Sequence, residues 1–264
     1  MTGRTGALTL GLWQSSGTPG DVTANLAEVA KAAAQAKAQG VDLLVFPECF
    51  LTGYFTDADV AQIAGEVEPA LGQLAAIAAQ LDMAFVVGSY LPGPMGVQNV
   101  ALIVTPESGV QAPYAKQMLY GTWEEATFTP GQHPHAFDWR GMRIGVLICF
   151  DIEFPEVMRA TAALDVDLVV VPTSLMAPAY AVPRLLVPAR ALENQVFVGY
   201  ANRIGADAAH SYPGESVIAG PDGAVLANAG GGTELITARI LATDVAKARA
   251  EFSYLEIIAA KGAS

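Results

Sequence analysis

Short apolar runs recur along this chain, and three of them end on one reactive side chain. Val41 to Phe46 leads through Pro47 to Glu48, Arg143 to Ile148 leads to Cys149, and Val110 to Ala115 leads to Lys116. Asp167 to Val171 is a fourth run of the same kind. Segments this short, without strict polar alternation, read as strands buried on both faces, as in parallel sheets.

Helical patterns separate these runs. Asp21 caps an alanine-rich segment that stops at Gly40, Pro69 to Leu81 has helical apolar spacing, and Pro155 to Ala163 and Pro183 to Leu192 each carry a proline in the first turn. Further strands are expected at Ala7 to Gln14, Ala84 to Tyr90, Asn99 to Thr105, Gly109 to Tyr114, Val196 to Ala201, Ser216 to Ala219, Ala224 to Ala227 and Leu235 to Ile240. Pro221-Asp222-Gly223 turns the chain between two of them. Strands alternating with helices imply a layered α/β fold. No shift in composition divides the 264 residues, so one domain over residues 1–264 is the simplest organisation.

The residues at the ends of the runs suggest chemistry. A thiol where a strand becomes a helix is fixed by the strand, exposed by the turn, and set beside backbone N–H groups that attract developing negative charge. Cys149 is therefore the nucleophile candidate. A free thiol is mostly protonated at neutral pH and needs a base. Glu48, at the carboxyl end of its strand where ligands collect in open α/β sheets, is the base candidate. Lys116 and the Phe150 N–H are the candidates for holding the oxyanion of a tetrahedral intermediate.

With these residues in place, the sequence resembles the nitrilase superfamily of carbon–nitrogen hydrolases. The resemblance rests on Phe46-Pro47-Glu48 with Thr52-Gly53-Tyr54, on Tyr114-Ala115-Lys116 with Leu119-Tyr120-Gly121, Glu124, Phe128 and Pro130-Gly131, and on Cys149-Phe150-Asp151 with Phe154-Pro155-Glu156. Ala189 to Gln195, Tyr200-Ala201-Asn202 and Ser216 to Gly223 extend it over almost the whole chain. Within the superfamily the strings Cys-Phe-Asp-Ile-Glu-Phe-Pro-Glu and Arg-Ala-Leu-Glu-Asn-Gln are most similar to the bacterial aliphatic amidases, including the 5-aminopentanamidase-like and R-stereoselective branches.

The resemblance implies a four-layer αββα sandwich and a Glu48-Lys116-Cys149 triad that hydrolyses small aliphatic carboxamides through a cysteine thioester, without a cofactor. A nitrilase or an N-carbamoyl amidase with the same triad is the competing reading. Glu124 is implied to sit beside Lys116 and orient the substrate, and Tyr54 and Phe150 are implied substrate contacts. Glu153 is either a helix-start carboxylate complementing the dipole or the acidic edge of the substrate mouth, where it would favour amides with a remote ammonium. Homodimers or larger homo-oligomers are also implied. Met118, Ala115 and Gln98-Asn99-Val100 depart from residues frequent in the family, and none of these is a triad position.

Other polar residues read plainly. Cys49 is a packing residue, Glu125 a surface charge, and Glu156 with Arg159 a local ion pair. His133 and His135 lie in a loop after Pro130-Gly131, and with His210 they lack zinc-site spacing, so no metal is expected. Gly230-Gly231-Gly232 lacks the lysine and helix of a phosphate loop. Met176 to Arg184, with two prolines, is expected to cover the pocket. A net charge of −12 argues against nucleic-acid binding. Two cysteines make no disulfide framework, Met1 to Gly6 lacks an apolar leader, and no run is long enough to span a bilayer, so a cytoplasmic enzyme is expected.

Overall fold

The computed structural model describes residues 4–54, 59–207 and 209–262. The first three residues of the N-terminal stretch and the last two of the chain lie outside them. In chain order the first half holds β1 (Ala7–Gln14), α1 (Val22–Ala38), β2 (Leu43–Val45), α2 (Val60–Glu66), α3 (Glu68–Leu81), β3 (Ala84–Gly93), β4 (Gly96–Thr105), β5 (Gly109–Val110), β6 (Tyr114–Ala115) and α4 (Gly121–Thr127). The second half begins with β7 (His135–Trp139), β8 (Met142–Val146), a 3-10 turn at Cys149–Glu153, α5 (Pro155–Ala162) and β9 (Leu168–Thr173). A π turn at Val182–Leu186 then runs into α6 (Val187–Asn194), followed by β10 (Phe197–Asn202), β11 (Ile204–Ala206), β12 (Ser211–Pro213), β13 (Val217–Ala219), β14 (Val225–Asn228), β15 (Glu234–Leu241), α7 (Ala242–Glu251) and α8 (Tyr254–Ala260).

Two large sheets result. One runs β15-β1-β2-β3-β4-β5, with β6 also on β4, and the other runs β14-β13-β10-β9-β8-β7. Each has a parallel centre, β1-β2-β3 and β8-β9-β10, flanked by antiparallel strands. The alternation of side chains along the strands divides the apolar residues between two cores. Leu8, Leu10, Leu12, Val45 and Val86 face Val146, Val170 and Val198 between the sheets, and this core continues onto Met158 of α5 and Ala191 of α6. On the outer side of the first sheet, Leu44, Phe85, Leu102 and Val104 pack against Val29 and Ala33 of α1 and Leu74 and Ala78 of α3. Helix, sheet, sheet and helix make the four-layer αββα arrangement. Each fully buried Leu or Val contributes about 1.5–3 kcal/mol by leaving water. Gly199 lets the sheets approach: a Cβ there would lie 2.7 Å from Leu10 Cδ2.

Several local expectations change. The strand expected at Gly109 to Tyr114 is broken into β5 and β6, because Pro113 offers no N–H to the ladder. His135 is not in a loop but starts β7 opposite Val146, and burial lowers its pKa. The expected Glu156–Arg159 pair is replaced. Arg159 reaches instead to the Glu193 carbonyl (2.9 Å), one of the last carbonyls of α6, which lack acceptable partners within their own helix. Glu153 ends the 3-10 turn rather than starting α5, whose first turn holds Glu156.

Candidate active site

Each reactive side chain leaves the carboxyl end of a strand. Glu48 follows β2 by way of Pro47, and its turn lies directly on β3 at Gly88. A Cβ at Gly88 would lie 2.3 Å from Cys49 N and Pro47 O and 2.6 Å from Glu48 Cα. No other residue permits that approach. The two sheets are also joined here: Glu48 N–H donates to the Thr173 carbonyl at 3.4 Å, and Ser174 Oγ to the Glu48 carbonyl at 3.2 Å. The end of β2 is thereby held against the end of β9.

Lys116 follows β6 and is 1% exposed, so its ammonium has no water to lean on. Its Nζ donates to Glu48 Oε1 and to Glu124 Oε1, both at 2.7 Å. Burial alone would lower the lysine pKa, but the Glu48 and Glu124 carboxylates outweigh it and the net shift is upward. The lysine stays an ammonium. Glu124 comes from the first turn of α4, a short helix. Its Oε1 also accepts from Tyr54 Oη (2.6 Å) and its Oε2 from the Tyr120 N–H (2.7 Å). Burial and the neighbouring Glu48 charge raise the Glu124 pKa against the pull of Lys116 and Tyr54.

Glu48 is held on one side only. Oε1 accepts from Lys116 and from Asn99 Nδ2 (2.8 Å), whereas Oε2 is buried without a hydrogen-bond partner. A buried carboxylate oxygen left unsatisfied is costly, and it is open to a hydrogen-bond donor. Asn99 was visible in the sequence as a polar residue heading the apolar stretch of β4, but its role needed the neighbouring strand.

Cys149 opens the 3-10 turn with φ +45°, a left-handed conformation that costs a non-glycine residue of order 1–2 kcal/mol. Cys149 retains 9% exposure where Cys49 has none. Burial and the Glu48 charge push the Cys149 thiol well up, while Lys116 and the Ser174 backbone N–H pull it partly back. The sulfur rests as a thiol. Ser174 was not foreseen, since nothing in a backbone amide is written in the sequence. Cys49 is shifted up as well, by burial and Glu48, consistent with a packing residue.

Around this centre the remaining candidates divide. The Phe150 amide belongs to the start of the turn, where N–H groups lack acceptors within it, and its ring stands edge-on to Tyr120 (5.2 Å) and Phe154 (4.9 Å). Tyr54 is 2% exposed and meets the site through Glu124. The Glu153 carboxylate is half-buried, and its pKa is raised by burial against the attraction of Lys116 and Arg190. The Met176–Arg184 segment starts beside Ser174. Its far end lines a different cleft of about 780 Å³ with Glu215 and Gly230, where Arg184 pairs with Glu215. Among the described residues no group of three His, Cys, Asp or Glu side chains is placed to hold a metal ion.

Comparison with known proteins identifies the family. The model of the carbon-nitrogen hydrolase family matches residues 9–250. An (R)-stereoselective amidase from Pseudomonas sp. is 36% identical over 93% of this chain and 89% of its own. Two solved structures of variants of the amidase from Nesterenkonia sp. AN1 superpose with a TM-score of 0.82 at 36% identity, covering 93% of this chain. One, covered to 98%, shows the result of Michael addition of acrylamide at the active site cysteine, and the other, covered to 95%, is a complex with butyramide. The chain belongs to the carbon-nitrogen hydrolase family.

Proposed function

We propose that the protein is an amidase, a single hydrolase domain over residues 1–264 that converts small aliphatic carboxamides to carboxylic acid and ammonia. One observation carries the reading: Glu48 keeps one buried oxygen without a partner while Lys116 fixes the other at 2.7 Å, in the cluster that also holds the Cys149 thiol. A thiol this far from ionisation attacks only if its proton leaves as the C–S bond forms. Glu48 Oε2 takes that proton as the sulfur adds to the amide carbonyl, and the Lys116 ammonium and Phe150 N–H stabilise the oxyanion. The tetrahedral intermediate collapses with cleavage of the C–N bond, and Glu48 returns the proton to the departing ammonia.

Water then adds to the thioester with Glu48 again accepting a proton, the C–S bond breaks, and the thiol is regenerated with release of the acid. Glu124 keeps Lys116 charged and oriented, and Tyr54 braces Glu124 from behind. Glu153 borders the mouth, where it favours substrates carrying a remote ammonium. The acrylamide adduct and the butyramide complex of the related amidase support a small amide as substrate.

The setting follows from the surface. Exposed Leu192, Phe252, Tyr254 and Ile257 support a homodimer or larger homo-oligomer. The two free cysteines support a reducing, cytoplasmic location. Among the described residues no helix is long and apolar enough to cross a membrane. Ammonia release from a panel of amides, nitriles and ureido acids tests the assignment. Turnover of the amides is expected, and Cys149→Ala should abolish it with the circular dichroism spectrum unchanged. Retained turnover in that variant, or turnover of nitriles or ureido acids alone, would overturn the reading.

A further inference from the structure

The motif around the nucleophile includes a carboxylate for which the mechanism has found no use. Asp151 is fully buried, two residues past Cys149 in the same 3-10 turn. It takes no part in an ion pair at 4.0 Å or less among the described residues, yet four neutral donors converge on it. Oδ2 accepts from the Ile148 N–H at 2.9 Å and from Tyr114 Oη at 2.7 Å. Oδ1 accepts from the Gln117 N–H at 3.1 Å and the Met118 N–H at 2.8 Å.

The identity of those donors is informative. Ile148 immediately precedes Cys149, while Tyr114, Gln117 and Met118 lie on both sides of Lys116. One carboxylate therefore grips the chain beside the nucleophile and the chain around the cation. These segments come from different sheets, β8 and β6, so backbone ladders do not fix their separation. The Ile148 bond also closes the turn in which Cys149 is held at its left-handed φ.

We propose that Asp151 is a positioning residue that sets the spacing between the Cys149 sulfur and the Lys116 ammonium and holds the nucleophile in its strained conformation. It touches no reacting atom; its work is done through the Ile148 and Gln117–Met118 amides. Asparagine in its place presents an N–H₂ group to donors, so at least one of the two grips is lost. A side chain that only stabilised the fold would, when replaced, lower the amount of folded protein without changing each folded molecule.

The inference rests on the amidase reading for its turnover arm, and a second arm is independent of substrate. Asp151→Asn, purified and checked by circular dichroism, is assayed for amide hydrolysis and for alkylation of Cys149 by iodoacetamide, both per folded molecule. A fall in kcat of roughly 100-fold is expected, with KM changed less than about threefold and alkylation slowed at least about tenfold. Tyr114→Phe removes one of the four donors while keeping the ring, and serves if the first variant does not fold. Its expected loss is roughly threefold to tenfold in kcat and in alkylation rate. Unchanged alkylation per folded molecule in a folded variant, or kcat that follows only the folded fraction, overturns the proposal. If no amide is turned over by the wild-type chain, the amidase reading fails while slowed alkylation still supports the placement of Cys149.

Discussion

Replacing Lys116 by methionine tests the electrostatic core of the site. The substitution keeps the length and volume of the side chain and removes the charge that Glu48 and Glu124 share through 2.7 Å contacts. Removing one partner of a buried pair typically costs about 3–5 kcal/mol, because the remaining charge has neither counter-ion nor water. Here two carboxylates are left facing each other. Burial and the Glu48 charge already raise the Glu124 pKa, and Lys116 is what opposes them. Without it that rise is larger.

The sign of the pH dependence follows. In the wild type the lysine pKa is raised on folding, so its stabilisation is fully present below the unfolded value of about 10.4 and is constant between pH 5 and 8. In the variant the raised group is a carboxyl, whose contribution is present below its unfolded pKa and lost as pH rises through the folded one. Acidification through that window therefore restores stability to the variant. Urea unfolding should show a deficit of about 3–5 kcal/mol at pH 8 that is smaller at pH 5. Lys116→Met with Glu124→Gln should recover part of the loss at pH 8, and kcat should fall by about 10²–10³ or more in either protein. A deficit below about 1 kcal/mol, or one equal at both pH values, would refute the assignment of a charged, shared ammonium.

Two further predictions concern the thiol and the mouth. The Cys149 pKa is raised on folding, so the unfolded chain loses its proton first; stability should fall as pH rises above about 8.5, by at most about 1.4 kcal/mol per unit for each buried thiol. Urea midpoints from pH 7 to 10 should therefore fall less in Cys149→Ala, and a thiolate absorbance at 240 nm already present at pH 7 in the native wild type would contradict this. Glu153→Ala should raise KM for amides with a remote ammonium by roughly fivefold, the scale of about 1 kcal/mol for a partly screened charge, and leave isosteric neutral amides unchanged. Equal effects on both series would remove Glu153 from substrate selection.

The chemistry of this protein is largely local in sequence, because each reactive residue terminates its own apolar strand. Glu48, Lys116 and Cys149 announce themselves by position, and the period of the apolar residues gives the layered α/β class. What the sequence by itself could not decide is contact between residues brought together by different strands. Asn99 lies 51 positions from the Glu48 oxygen it holds, and Tyr54 lies 70 from Glu124. The short helix that carries Glu124 and the partner of Arg159 were decided by packing, which overrides weak local preference, whereas the break at Pro113 follows from its missing N–H. Tertiary structure also settled the proton. Strand ends can place a carboxylate, an amine and a thiol in one cluster, but only the exclusion of water and the distribution of hydrogen bonds leave a buried oxygen on Glu48 open while Lys116 spends two of its three N–H groups on carboxylates. Sequence names the groups, and burial determines which of them hold charge.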